Sequence, residues 1–235
     1  MSDIKKNIIS SEDNYPLYKK PAPAPDMHDG ILRMTASCTE FKESVKSGIL
    51  GAGGAGFPSY AKIADGVDTL LVNGAECESL LYTDLTILKT ELRKIVEGVD
   101  TIVENTKASR GLICIKEHTA KTLGLFDGQK LSTVASIKIL PNVYPMGDEI
   151  SLIYEATGRQ VKAGALPISV GIIVYNVETV LNIREAVRHR IAVTHKWLTI
   201  GGNTEKSYVV RVPVGMYVKE LFEKLGISVP DDNVV

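Results

Sequence analysis

Between residues 67 and 187 the chain repeats one rhythm, which limits its fold more than any other feature. Short apolar runs rich in branched residues alternate with longer segments that carry an apolar stripe. VDTLLV at 67–72, GLICI at 111–115, SIKIL at 136–140 and VGIIVY at 170–175 read as buried strands. Residues 86–105 read as a helix, with Leu88, Leu92, Ile95, Val96, Val99 and Val103 on one face. Residues 118–126, 148–156 and 177–187 read as shorter helices. Strand-helix alternation at this spacing predicts an α/β fold: a mostly parallel sheet with helices on both faces.

The rhythm fails at both ends. Residues 1–38 are polar and include Pro21, Pro23 and Pro25, which disfavour helix, so they read as a flexible N-terminal arm. A helical pattern, Phe41, Val45 and Ile49, then opens a core expected over 39–192. From 193 to 235 the order becomes strand (HKWLTI), turn (Gly201-Gly202-Asn203), strand (YVVRVPV) and short helix (MYVKELFEKLG). A β-rich module of some forty residues is too small to be very stable alone. The sequence closes on Val234-Val235, an uncapped apolar pair that reads as a truncated chain.

Composition narrows the function. Apolar residues make up 44% and charged residues 23%, which excludes wholesale disorder. A net charge of −1 argues against nucleic acid as a partner. No apolar run reaches the length of a membrane span, and the charged N-terminus has no signal-peptide apolar region. A cytoplasmic protein is expected, with membrane association only through a complex. Cys38, Cys77 and Cys114 form no C-x-x-C pair, and the four histidines have no zinc-site spacing, so no metal is expected in this segment.

Four segments could carry chemistry. Gly51-Ala52-Gly53-Gly54-Ala55-Gly56 contains G-x-G-x-x-G, a pattern that lets backbone N–H groups approach a phosphate. It follows a helix rather than a strand, so a plain flexible loop is an equal reading. Phe57 next to it offers a ring for stacking or a staple to the core, and Lys62 a cation for a phosphate or ring. Asn73, Glu76 and Glu78 follow a strand end, where ligands gather in parallel sheets, or they form a solvated acidic loop. Tyr144, Gly147, Asp148 and Glu149 open a helix, whose dipole alone explains the acids. Asn176 and Thr179 start another helix, with Asn176 as a ready cap. Together these junctions suggest one shared crevice for a nucleotide or a flavin.

The combination GAGGAGFPSYAK, NGAECES, YPMGDEISLIYEATGR and YNVETVLNI, in this order, resembles the flavin- and NADH-binding core shared by RnfC proteins and the 51 kDa subunit of respiratory complex I. VTHKWLTIGG and VVRVPVG resemble the SLBB β-grasp module that follows that core. Within the family the chain is most similar to the soluble RnfC-like branch of PduS-type cobalamin reductases and PrdC-type electron-transfer proteins. The resemblance implies a Rossmann-like sheet. It also implies FMN and NADH as cofactors, held by Gly51, Gly53, Gly54, Gly56, Phe57, Lys62, Asn73, Glu76, Glu78, Tyr144, Gly147, Asp148, Glu149, Asn176 and Thr179. No catalytic acid or base is implied. The implied activity is a flavin-dependent NADH:acceptor oxidoreductase. Electrons would pass to an iron–sulfur or ferredoxin-like partner or a reductase subunit, with the iron–sulfur clusters outside this segment. Ala52 stands for an arginine and Ala75 for an aspartate of the complex I pattern. These departures motivate the alternative of a non-catalytic docking subunit that has lost tight nucleotide binding.

Overall fold

The structure, a computed structural model, describes residues 17–19, 41–46, 48–52, 56–76, 78, 80–202, 204 and 206–228. In chain order the elements are β1 (Leu17–Lys19), α1 (Phe41–Lys46), a 3-10 turn (Ser59–Lys62), β2 (Thr69–Asn73) and α2 (Thr83–Thr106). Then come β3 (Arg110–Lys116), α3 (Glu117–Leu123), β4 (Ala135–Leu140), α4 (Glu149–Thr157) and a second 3-10 turn (Pro167–Val170). β5 (Ile172–Asn176), α5 (Val177–His189), β6 (His195–Ile200), β7 (Tyr208–Pro213) and α6 (Val218–Leu225) complete the series. They divide into two compact units, Asp26–Val193 and a second made of Met1–Pro25 with Thr194–Val235.

In the larger unit four parallel strands lie in the order β4-β3-β2-β5. Thr69 to Val72 of β2 are all buried, so neighbouring residues that point to opposite faces are both covered. On one face α4 packs Leu152 and Ile153 with Leu71, Cys114, Leu140 and Val174. Elsewhere α2 and α5 approach closely, with Gly98 against Val180. The apolar stripe expected on α2 is buried at Leu88, Ile95, Val99 and Val103. Leu85, Ile87 and Leu88 are buried before Glu91, and Ile95, Val99, Ile102 and Val103 after it, whereas Leu92 and Val96 are only half-buried. The backbone at Glu91 leaves helical geometry (φ −125°), a kink between the two halves of the helix.

The strand order makes the site. From β2 the chain moves outward to β3 and β4, then returns to place β5 on the other side of β2. Where the order reverses, the connections leave in opposite directions and a crevice opens at the strands' carboxyl ends.

The smaller unit is a mixed sheet in the order β1-β7-β6. β6 and β7 are antiparallel, from His195 opposite Pro213 to Ile200 opposite Tyr208. Leu17–Lys19, inside the segment that the sequence assigns to an arm, runs parallel to Tyr208–Val210. A three-residue strand is too short to show a period of two, and its ladder bonds are made by backbone alone. Ile200, Val210, Val212 and Leu221 form the core, with Phe222 and Leu225 of α6 against it.

Candidate functional site

Asn73 and Asn176 stand side by side at the carboxyl ends of β2 and β5. Their side chains work in the same way. Oδ1 of Asn73 accepts from the Ala75 N–H at 3.0 Å, and Oδ1 of Asn176 from the Glu178 N–H at 2.8 Å, which turns each chain out of its strand. Nδ2 of Asn73 donates to the Gly147 carbonyl at 2.8 Å. Nδ2 of Asn176 donates to the Asp84 carboxylate at 3.0 and 3.1 Å. One asparagine thus pins the loop before α4, while the other caps α5 and holds the start of α2.

Gly51 and Gly56, at the two ends of the glycine segment, border this crevice. The Gly51 N–H donates to the Phe57 carbonyl at 2.8 Å and the Ser59 N–H to the Ile49 carbonyl at 3.0 Å, forming a neck. The Ala52 N–H donates to Thr179 Oγ1 at 2.9 Å, tying the loop to the first turn of α5. A Cβ on Gly51 would come within 3.3 Å of the Phe57 oxygen, and Gly56 has φ +60°, so both positions suit glycine. Gly53 and Gly54 lie outside the described residues.

Beyond the loop, the Tyr175 hydroxyl donates to the Ser59 carbonyl at 2.6 Å. Burial pushes the Tyr175 phenol up from its ordinary pKa, so it stays a donor. Lys62 Nζ donates to the Val174 carbonyl at 3.0 Å and pairs with Glu149 Oε1 at 2.7 Å. It also lies 5.8 Å from the centre of the Phe57 ring. The paired side chains are 27% and 37% exposed, so water screens the attraction and Lys62 is held mainly as an aimed cation.

These parts enclose a cavity of about 460 Å³, within the ordinary size range for small-ligand sites. Leu166, Pro167, Ile168 and Ile172–Val174 form an apolar wall. Among the residues expected from sequence, Gly51, Gly56, Phe57, Lys62 and Asn73 line it. So do Gly147, Asp148, Glu149, Asn176 and Thr179. Asp148 also caps α4, accepting from the Ser151 N–H at 3.0 Å.

Glu76, Glu78 and Tyr144 do not line this cavity. The Glu76 carboxylate accepts from the Thr83 N–H at 2.8 Å and the Asp84 N–H at 3.4 Å, at the start of α2. Burial raises its pKa, against the opposing effect of those N–H groups and of Lys116. Lys116 Nζ donates to the Glu76 carbonyl at 2.8 Å. Glu78 is exposed, and Tyr144 is 76% exposed. The sequence reading misses the wall at Leu166–Ile168, which carries no motif, and Asp84, which looks like any acid in a first helical turn. It also misses Ser59 and Tyr175.

The chemistry is that of a binding site. Among the described residues no group of three or more His, Cys, Asp or Glu could hold a metal ion. The Cys114 thiol, pushed up to about 12 by burial, stays protonated in the core. An apolar wall facing backbone, one aimed lysine and the start of α5 suits a flat ring with an anionic tail, so these residues fit FMN.

Known proteins show the family and the fold. The chain is 41% identical over 207 residues to cobalamin reductase PduS of Salmonella typhimurium, covering 86% of this chain and 45% of the relative. It is 34% identical over 190 residues to a component of the proton-translocating ferredoxin:NAD(+) oxidoreductase complex of Clostridium ljungdahlii, covering 77% of this chain and 41% of the relative. The chain therefore spans less than half the length of these curated relatives. A crystal structure of an NAD+-reducing [NiFe]-hydrogenase shares the fold, with a TM-score of 0.65 at 18% identity over 86% of this chain and 42% of that one. No helix of the described residues is long and apolar enough to cross a membrane. Residues 45–185, more than half of the chain, match the Complex1_51K family, described as the Nuo51 FMN-binding domain, and the chain belongs to that family.

Proposed function

We propose that this chain is the core of an electron-transfer flavoprotein, an FMN-dependent NADH:acceptor oxidoreductase that serves an iron–sulfur or ferredoxin-like partner. The observation that carries the reading is the cavity at the β2/β5 reversal, lined by Gly51, Gly56 and Lys62, in a chain of this family. When bound, FMN supplies the capacity to take a hydride from a nicotinamide and release electrons one at a time.

The protein's part is to hold and orient. Thr179 and the Ala52 N–H keep the glycine loop against the positive end of α5, which favours an anionic tail. Lys62 adds a cation fixed by the Val174 carbonyl. Ile168 and Val174 offer an apolar face that excludes water from a ring. Phe57, exposed beside the loop, offers a ring on which a nicotinamide nucleotide would stack. The relatives' names support a module between a nicotinamide and another redox centre, since one is a cobalamin reductase and the other belongs to a ferredoxin:NAD(+) oxidoreductase. On this reading the small mixed sheet with α6 is the β-grasp module.

The test is to titrate the purified protein with FMN and then add NADH under anaerobic conditions. The expected outcome is tight flavin binding followed by bleaching of the flavin band, with weaker binding in Lys62→Met. A protein that binds no flavin refutes the reading and favours the docking role. Flavin binding without bleaching removes NADH as the donor.

A further inference from the structure

Among the described residues, Ser59 Oγ is the buried side-chain polar atom left without a hydrogen-bond partner. The residue is 1% exposed and lines the cavity. Its backbone is engaged on both sides. The N–H donates to the Ile49 carbonyl at 3.0 Å, and the carbonyl accepts from the Tyr175 hydroxyl at 2.6 Å. The backbone of Ser59 is therefore held in place, with its side chain buried. An unpaired buried hydroxyl is costly, and alanine would occupy this position without that cost. The orphan is explained if its partner arrives with the occupant of the cavity.

We infer that Ser59 is a ligand-contact residue whose hydroxyl hydrogen-bonds an uncharged polar atom of the flavin, a ring carbonyl or nitrogen or a ribityl hydroxyl. The inference rests on the FMN reading above and adds a contact to it. The uncharged atom follows from the surroundings. The groups bonded to Ser59 are the Ile49 carbonyl and the Tyr175 phenol, both neutral, so they offer no countercharge to a desolvated phosphate. The aimed cation of the site is Lys62.

The experiment compares the intact protein with Ser59→Ala. It measures affinity for FMN and for riboflavin by fluorescence quenching, and the melting temperature of each protein without flavin. The expected result is a roughly tenfold loss of affinity for both flavins, with the preference between them unchanged. The flavin-free melting temperature should be equal or higher, because the deleted hydroxyl has no partner in the free protein. Unchanged affinity overturns the assignment and leaves water as the partner of the hydroxyl. A loss confined to FMN overturns it in favour of a phosphate contact. A fall in flavin-free melting temperature overturns it in favour of a structural role. An intact protein that binds neither flavin refutes the FMN reading itself, and this contact with it.

Discussion

Glu76 follows a strand end in a polar cluster, which is where a ligand-binding carboxylate is expected, yet its oxygens face the first N–H groups of α2. Both roles need an acceptor near a helix start, so the sequence could not separate them. The environment gives Glu76 a measurable signature. Burial raises its pKa above the usual 4.5, so the folded chain holds this proton more tightly than the unfolded chain. The stability linked to that proton is fully present below about 4.5 and is lost as pH rises through the raised value. Glu76→Gln keeps an oxygen to accept from the Thr83 N–H and has no charge to bury. Urea unfolding across a pH series should show this pH-dependent loss in the natural protein and not in the variant. At neutral pH the variant should be at least as stable. Equal slopes in both proteins would mean that Glu76 does not carry the dependence.

Elements were legible where side-chain period and burial agree. The four core strands occur where branched apolar runs predict them, and α2, α4 and α5 where the stripes do, with ends shifted by a few residues. The kink at Glu91 was not legible, because a break in backbone step leaves no mark on composition. The contact between α2 and α5 was equally hidden. It depends on Gly98, where a Cβ would meet Val180 Cγ1 at 2.8 Å and the Val180 carbonyl at 2.9 Å. Intrinsic propensity says that alanine improves a helix interior by about 1 kcal/mol. Overpacking against a fixed backbone oxygen costs about 1–3 kcal/mol, and Arg184 bonded to Glu97 at 2.6 Å leaves the two helices little room to part. Gly98→Ala should therefore lower stability by up to about 2 kcal/mol, read as a lower urea midpoint with an unchanged slope. A higher midpoint would show that the helices separate without cost.

At the scale of the whole chain, the crevice was legible because its parts sit at strand-to-helix junctions, which topology gathers at one edge of the sheet. The return of the N-terminal segment to the last strands was not, since parallel backbone pairing by Leu17–Lys19 needs no particular side chains. That pairing makes the small unit discontinuous in sequence, with β7 at the centre of its sheet. Deleting residues 1–25 would leave β6, β7 and α6, and a two-stranded hairpin is marginal in water even with a helix to cover it. The described residues that line the cavity all lie in the Asp26–Val193 unit. Limited proteolysis of the truncated chain should therefore cut first within 194–228, faster than in the full chain, while flavin affinity stays within about twofold because the cavity wall is intact. Equal protease resistance would show that β1 adds nothing to the small sheet. A large loss of flavin affinity would show that the N-terminal segment supports the site by a route other than its strand.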